Sequence, residues 1–127
     1  MLQNIVARYQ DGSVLKGTST DFFPNRDQFH LHLESGDQQV VLIKDLKAVF
    51  FVLSFDGDPD DRGREDVERT GLGRKIRVDF KDGETMHGYT SGYSPDRNAF
   101  FVFPADPASN NERVFVITAA TSQVVFV

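Results

Sequence analysis

A chain of 127 residues with 39% hydrophobic content and 12 phenylalanines carries enough apolar mass for one packed domain or two very small ones, which excludes a largely disordered chain. It has no cysteine, so disulfides, thiolate metal sites and thiol chemistry are excluded together. The net charge is −5, and the excess acid sits in residues 55–74, where four basic residues face seven acidic ones; neither flank shows the clustered Lys and Arg of a phosphate-tracking surface.

No stretch approaches the roughly 20 apolar residues of a membrane-spanning helix. The first residues, "MLQNIVARYQDG", show neither a basic region nor a long apolar run, so no secretory signal and a cytoplasmic location are expected.

In chain order, "IVARYQ" reads as a strand running into Asp11-Gly12, a dipeptide suited to a tight hairpin. "SVLKGTSTDF" follows, interrupted by Gly17, which suggests a bulge or sharp bend. "FFPNRD" is a proline turn, "FHLHL" a third strand, "VVLI" a fourth and "AVFFV" a fifth. The tight connection "KDLK" suits a single helical turn. Residues 54–75, rich in Asp, Glu, Arg and Gly, read as a solvated linker. The pattern then returns as "IRVDF", Asp82-Gly83, "ETMHGYTSGY" with Gly88, "YSPDRN", "FFVF", "VFVI", "TAATS" and "VVFV".

Shifted by 71 positions, Ile5, Asp11, Gly12, Gly17, Pro24, Arg26 and Phe29 meet Ile76, Asp82, Gly83, Gly88, Pro95, Arg97 and Phe100 without a gap. The register then slips by four, and "VVLIKDLKAVFFV" lies over "FVITAATSQVVFV". The slip falls in "PADPASNNER", where added loop length costs little closure entropy. We read this as an internal duplication: an all-β chain of two tandem, small five-stranded barrels, residues 1–54 and 75–127, joined by the acidic linker 55–74. A unit of this size is marginal alone, so the two are expected to touch.

The order of features in each copy resembles the Sm-like (SH3-like barrel) superfamily. More narrowly, "DGSVLKGTSTDFFPNRDQFHL" and "DLKAVFFV" resemble an uncharacterised bacterial domain family of unknown function, a small module sometimes attached to regulatory proteins. The Sm-like resemblance implies single-stranded RNA binding through a loop Asp, an Asn near the third strand and a later Arg-Gly. Those places hold Phe23 and Ser94, Asp27 and Asn98, and "IKDLK" and "ITAATS"; only Asn98 fits.

His30 and His32 share a strand face, and His87 stands in the other copy, but Phe101 and Phe103 occupy the equivalent places; a metal site is not expected. Asp11 and Asp82 are explained by turn chemistry. "TGLGRK" lacks P-loop spacing and is read as linker, and no nucleophile elbow is present, so neither a cofactor nor enzymatic activity is expected.

The leading expectation is a module for self-association or protein binding. "AVFFV" and "QVVFV" are near-continuous apolar runs needing cover on both faces, which marks Phe50, Phe51, Val125 and Phe126 as interface residues on pairing edges. Arg26, Arg97, Asn98, Tyr93 and Phe22, with Tyr9, are the candidates for an alternative, single-stranded nucleic-acid binding by stacking and charge. A third is small-anion or nucleotide sensing, for which "DRGRED" (61–66) is the nearest arginine string.

Overall fold

The computed structural model describes residues 2–55 and 69–127. The first stretch forms β1 (Gln3–Tyr9), β2 (Val14–Ser19), β3 (Gln28–Leu33), β4 (Gln38–Leu42), a single 3-10 turn at Ile43–Asp45 and β5 (Leu46–Val52). The second forms β6 (Arg74–Phe80), β7 (Thr85–Thr90), β8 (Ala99–Pro104), β9 (Asn111–Ile117), a 3-10 turn at Thr118–Ala120 and β10 (Thr121–Phe126). No α-helix occurs among the described residues, and none of their helices is long and apolar enough to cross a membrane. Most of the acidic segment expected as a linker, with "DRGRED", lies outside the described residues.

Local chemistry accounts for the turns. At the two Asp-Gly pairs Gly12 and Gly83 take φ of +92° and +96°, where a Cβ would be strained. The Tyr9 amide donates to the Ser13 carbonyl at 2.9 Å, and the Phe80 amide to Glu84 at 2.8 Å. At the proline turns the Arg26 amide donates to the Phe23 carbonyl at 3.1 Å and the Arg97 amide to Ser94 at 3.0 Å. Proline thus stands second in each four-residue turn, where its fixed φ is favoured. "TGLGRK", expected as linker, ends in β6 at Arg74 and Lys75; just before it Arg69 donates its amide to the Tyr89 hydroxyl at 3.1 Å, and a Cβ on Gly73 would meet the Thr90 carbonyl oxygen at 2.3 Å.

The ladders join all ten strands into one antiparallel sheet in the order β10-β6-β7-β8-β9-β5-β1-β2-β3-β4. This single sheet differs from the two five-stranded barrels expected. Among the described residues no ladder returns from β4 to β5 or from β9 to β10, so the sheet is open, and β5 pairs with β1 on one side and β9 on the other. Every residue of β5, "LKAVFFV", is buried: its two faces pack into apolar clusters, and its two edges are paired by β1 and β9.

Pairing registers recur along the chain. Ile5↔Gly17, Phe29↔Val41 and Val6↔Phe50 are matched by Ile76↔Gly88, Phe100↔Val116 and Arg77↔Val125. Gly17 and Gly88 mark close approaches rather than bulges. A Cβ on either would sit 2.3 Å from a carbonyl oxygen of the next strand, that of His32 or Phe103.

Two apolar clusters fill the interior, and each draws on both stretches of chain. One packs Val6, Ala48 and Phe50 with Ile76, Val78, Phe80, Phe100 and Val116. The other packs Ile5, Phe22, Phe29, Val49 and Phe51 with Phe115 and Ile117. From Ala48 to Val52 β5 therefore sends alternate side chains to opposite clusters, as a strand's two-residue period requires.

Candidate functional site

Arg26, Arg97 and Asn98 are brought together. The two proline turns face one groove of about 860 Å³ at the seam between the halves, with Lys44 from the first 3-10 turn and a floor that includes Phe115 and Ile117. The Arg26 guanidinium lies 4.8 Å over the Phe23 ring. The Arg97 carbonyl accepts from the Thr118 hydroxyl at 2.8 Å, which holds the turn to the start of the second 3-10 turn. Asp27 and Asp96 also line the groove, so its charge is mixed. Asp96 is committed to its own turn: a hydrogen bond from the Ser94 hydroxyl lowers its pKa, with a smaller contribution from Arg97.

Phe22 and Tyr93 do not belong to this groove. Phe22, expected as a stacking platform, is buried in an aromatic cluster, its ring centroid 5.3 Å from Phe29, 5.0 Å from Phe51 and 5.2 Å from Phe115. Burial removes it from any external base. Tyr93 is half-buried between Phe100 at 4.8 Å and Phe126 at 5.8 Å. Tyr9 lines a different groove, beside Asp11 and Gln39.

The four apolar interface residues divide into two pairs. Phe50 and Phe51 are 6% and 2% exposed on β5, at the ladder with β9. Arg113 of β9 lays its guanidinium 4.4 Å over Phe51 and 4.8 Å over Phe101, which seals the seam. Val125 and Phe126 lie on β10, an outer strand paired among the described residues only with β6; Phe126 is 38% exposed. The other outer strand is β4, where Val40 is 46% exposed, although its counterpart on β9, Phe115, is 4% exposed. Equivalent sequence positions thus differ in burial because one strand has two neighbours and the other has one.

A family model described as a family of unknown function, DUF6982, matches residues 1–127. The chain belongs to that family. No curated protein and no solved structure matches it.

Two polar arrangements in this DUF6982 chain escaped the reading of sequence. Lys47 interrupts the apolar run of β5 and is 9% exposed; its Nζ lies 2.6 Å from Asp82 Oδ2, 2.5 Å from Glu84 Oε1 and 4.6 Å from the Phe80 ring centroid. The signal was present: a lysine inside "LKAVFFV" needs an anion, and Asp82 and Glu84 flank the second Asp-Gly turn. His30 Nδ1 lies 2.6 Å from Asp21 Oδ2, and the His30 amide donates to Asp21 Oδ1 at 2.9 Å. Partial burial pushes the Asp21 carboxyl upward, but hydrogen bonds from His30 and Ser19 outweigh it and hold the pKa down to about 2. His32 is exposed, and no group of three His, Asp or Glu able to hold a metal occurs among the described residues.

Proposed function

We propose that the chain is a non-enzymatic bacterial module of two tandem Sm-like units, acting in the cytoplasm by adding strands to the two free edges of its sheet. One observation carries this reading. Among the described residues β4 and β10 have one strand neighbour each, and Val40, Phe126 and the adjoining Val127 are exposed, while the equivalent residues at the seam are covered. An unpaired strand presents a row of amides and carbonyls, and strand addition satisfies them while side chains set specificity. Neither β4, "QQVVL", nor β10, "TSQVVF", carries the charges or proline that normally blunt an edge. Hydrogen exchange followed against protein concentration, with light scattering, tests it: β4 and β10 gain protection as mass rises or as a partner is added. A monomer whose two edges exchange freely with every partner offered removes the reading.

A second reading is favoured by the groove that joins Arg26, Lys44 and Arg97: it binds a phosphate-bearing ligand, single-stranded nucleic acid or a nucleotide. Retention of a labelled oligonucleotide that weakens with salt, or a thermal shift with nucleotides, supports it. No binding in low salt eliminates it.

A further inference from the structure

We propose that the open groove beside Tyr9 and Asp11 is a receptor for a lysine ammonium, carried on a side chain of a basic partner protein. The inference goes beyond strand addition and does not depend on it, because a lysine side chain can enter the groove from a backbone of any conformation.

The second half shows what this place in the fold holds. There the Lys47 ammonium lies 2.6 Å from Asp82 Oδ2, 2.5 Å from Glu84 Oε1 and 4.6 Å from the Phe80 ring centroid. Shifted back by 71 positions, Phe80, Asp82 and Glu84 become Tyr9, Asp11 and Ser13. The two hairpins carry the same backbone hydrogen bonds. The Tyr9 amide donates to the Ser13 carbonyl at 2.9 Å, as Phe80 does to Glu84 at 2.8 Å. The Gln10 amide donates to the Asp45 carbonyl at 3.0 Å, as Lys81 does to Ala120 at 2.9 Å. Asp82 Oδ1 accepts from the Glu84 amide at 3.0 Å, and its Oδ2 meets Lys47. Asp11 Oδ1 accepts from the Ser13 amide at 2.8 Å and the Ser13 hydroxyl at 2.6 Å, and Asp11 forms no ion pair among the described residues. Its turn thus holds Asp11 by one oxygen, as Asp82 is held, and leaves the other for a cation.

The charge of the site is kept although one acid is exchanged. Ser13 stands in place of Glu84, but Asp45 stands where the second half has Ala120. Tyr9, Asp11 and Asp45 border an open space of about 540 Å³ with Leu15 and Gln39. Burial raises the Tyr9 pKa, and the charges of Asp45 and then Asp11 raise it further, so the phenol stands in their negative field. An aromatic ring between two carboxylates suits an ammonium head, and Leu15 suits the methylene stem that carries it. Lys44 also lines the space, but it is exposed and forms no ion pair among the described residues.

The source of the cation follows from the same comparison. Lys47 arrives from β5, the strand next to β9. β4, the counterpart of β9, has no such neighbour among the described residues, which leaves the entrance open. The repeat has Ser122 in the place of Lys47, so the chain carries no equivalent lysine for this groove. A net charge of −5 opposes a second copy and favours a basic partner.

The test titrates the whole chain with the peptide Gly-Lys-Gly, blocked at both ends, and follows backbone amide signals by NMR. Signals of residues 9–15, Gln39 and Asp45 are expected to shift, and added salt to weaken the binding. The same peptide with an acetylated lysine amine is expected to leave them unmoved. Asp11→Asn, which keeps a turn-forming residue before Gly12, is expected to weaken binding several-fold; Asp45→Ala is a second variant with the same expectation, and Lys44→Ala should strengthen binding. Lys47→Met vacates the counterpart and is expected to add a second set of shifts around Asp82. No shift at residues 9–15, or equal binding by the acetylated peptide or by both acid variants, overturns the site. Shifts around Asp82 alone in Lys47→Met overturn it as well. Butylamine, which offers the head without a peptide, is expected to bind more weakly than the peptide; equal binding assigns the groove to a free amine and overturns the partner protein.

Discussion

Lys47 Nζ stands 2.6 Å from Asp82 Oδ2, a contact that ties β5 of the first half to the hairpin turn of the second. The Lys47 side chain is 11% exposed, whereas the Asp82 and Glu84 side chains are 52% and 51% exposed. The pair is therefore asymmetric. Removing both acids with Asp82→Asn and Glu84→Gln strands a buried cation and should cost about 2–4 kcal/mol in urea unfolding. Lys47→Met returns two half-exposed carboxylates to water and should cost less than about 1.5 kcal/mol.

Phe51 and Phe126 occupy equivalent places but unequal environments. Phe51→Ala should lose about 3–5 kcal/mol, as deletion of a core phenylalanine does. Phe126→Ala removes a ring that is 38% exposed and should lose less than about 1.5 kcal/mol. Equal losses in denaturant melts would contradict the burial difference between β5 and β10.

The glycines separate into two mechanisms. Gly17→Ala places a Cβ 2.3 Å from the His32 carbonyl oxygen, and backbone must move; a loss above about 3 kcal/mol or failure to fold is expected. Gly83→Ala meets nothing within 4 Å and bears only the strain of φ at +96°, about 1–2 kcal/mol. Thermal melts of the two proteins read the difference.

Asp21 makes stability depend on acid. Its folded pKa of about 2 lies below the ordinary aspartate value of about 3.9. The stabilisation is therefore present above the unfolded pKa and fades as pH falls towards 2. Asp21→Asn should flatten this part of the stability–pH curve between about pH 5 and 2 relative to the unaltered chain.

Much of the secondary structure was legible in the sequence because its causes are local. Asp-Gly pairs at 11–12 and 82–83 set hairpin turns, Pro24 and Pro95 set the turns that present Arg26 and Arg97, and alternation set the strands. The short links "KDLK" and "TAATS" overlap the single helical turns expected of them. The candidate site was legible only in part. Arg26, Arg97 and Asn98 line one groove, but Lys44 joins them from a turn far along the chain, and Phe22 is in the core.

The repeated pattern by itself determined the strand segments and the Asp-Gly and proline turns, whose causes lie within a few residues, whereas the β1–β5 and β6–β10 ladders join opposite ends of each half. Only the tertiary structure decided that β5 lies inside the sheet while β10 lies at its edge. Two runs as similar as "AVFFV" and "VVFV" carry the same local preference, and their difference comes from β9, which pairs β5 from more than fifty residues away. Burial is a property of neighbours, and one neighbour more or fewer separates a sealed seam from an open edge.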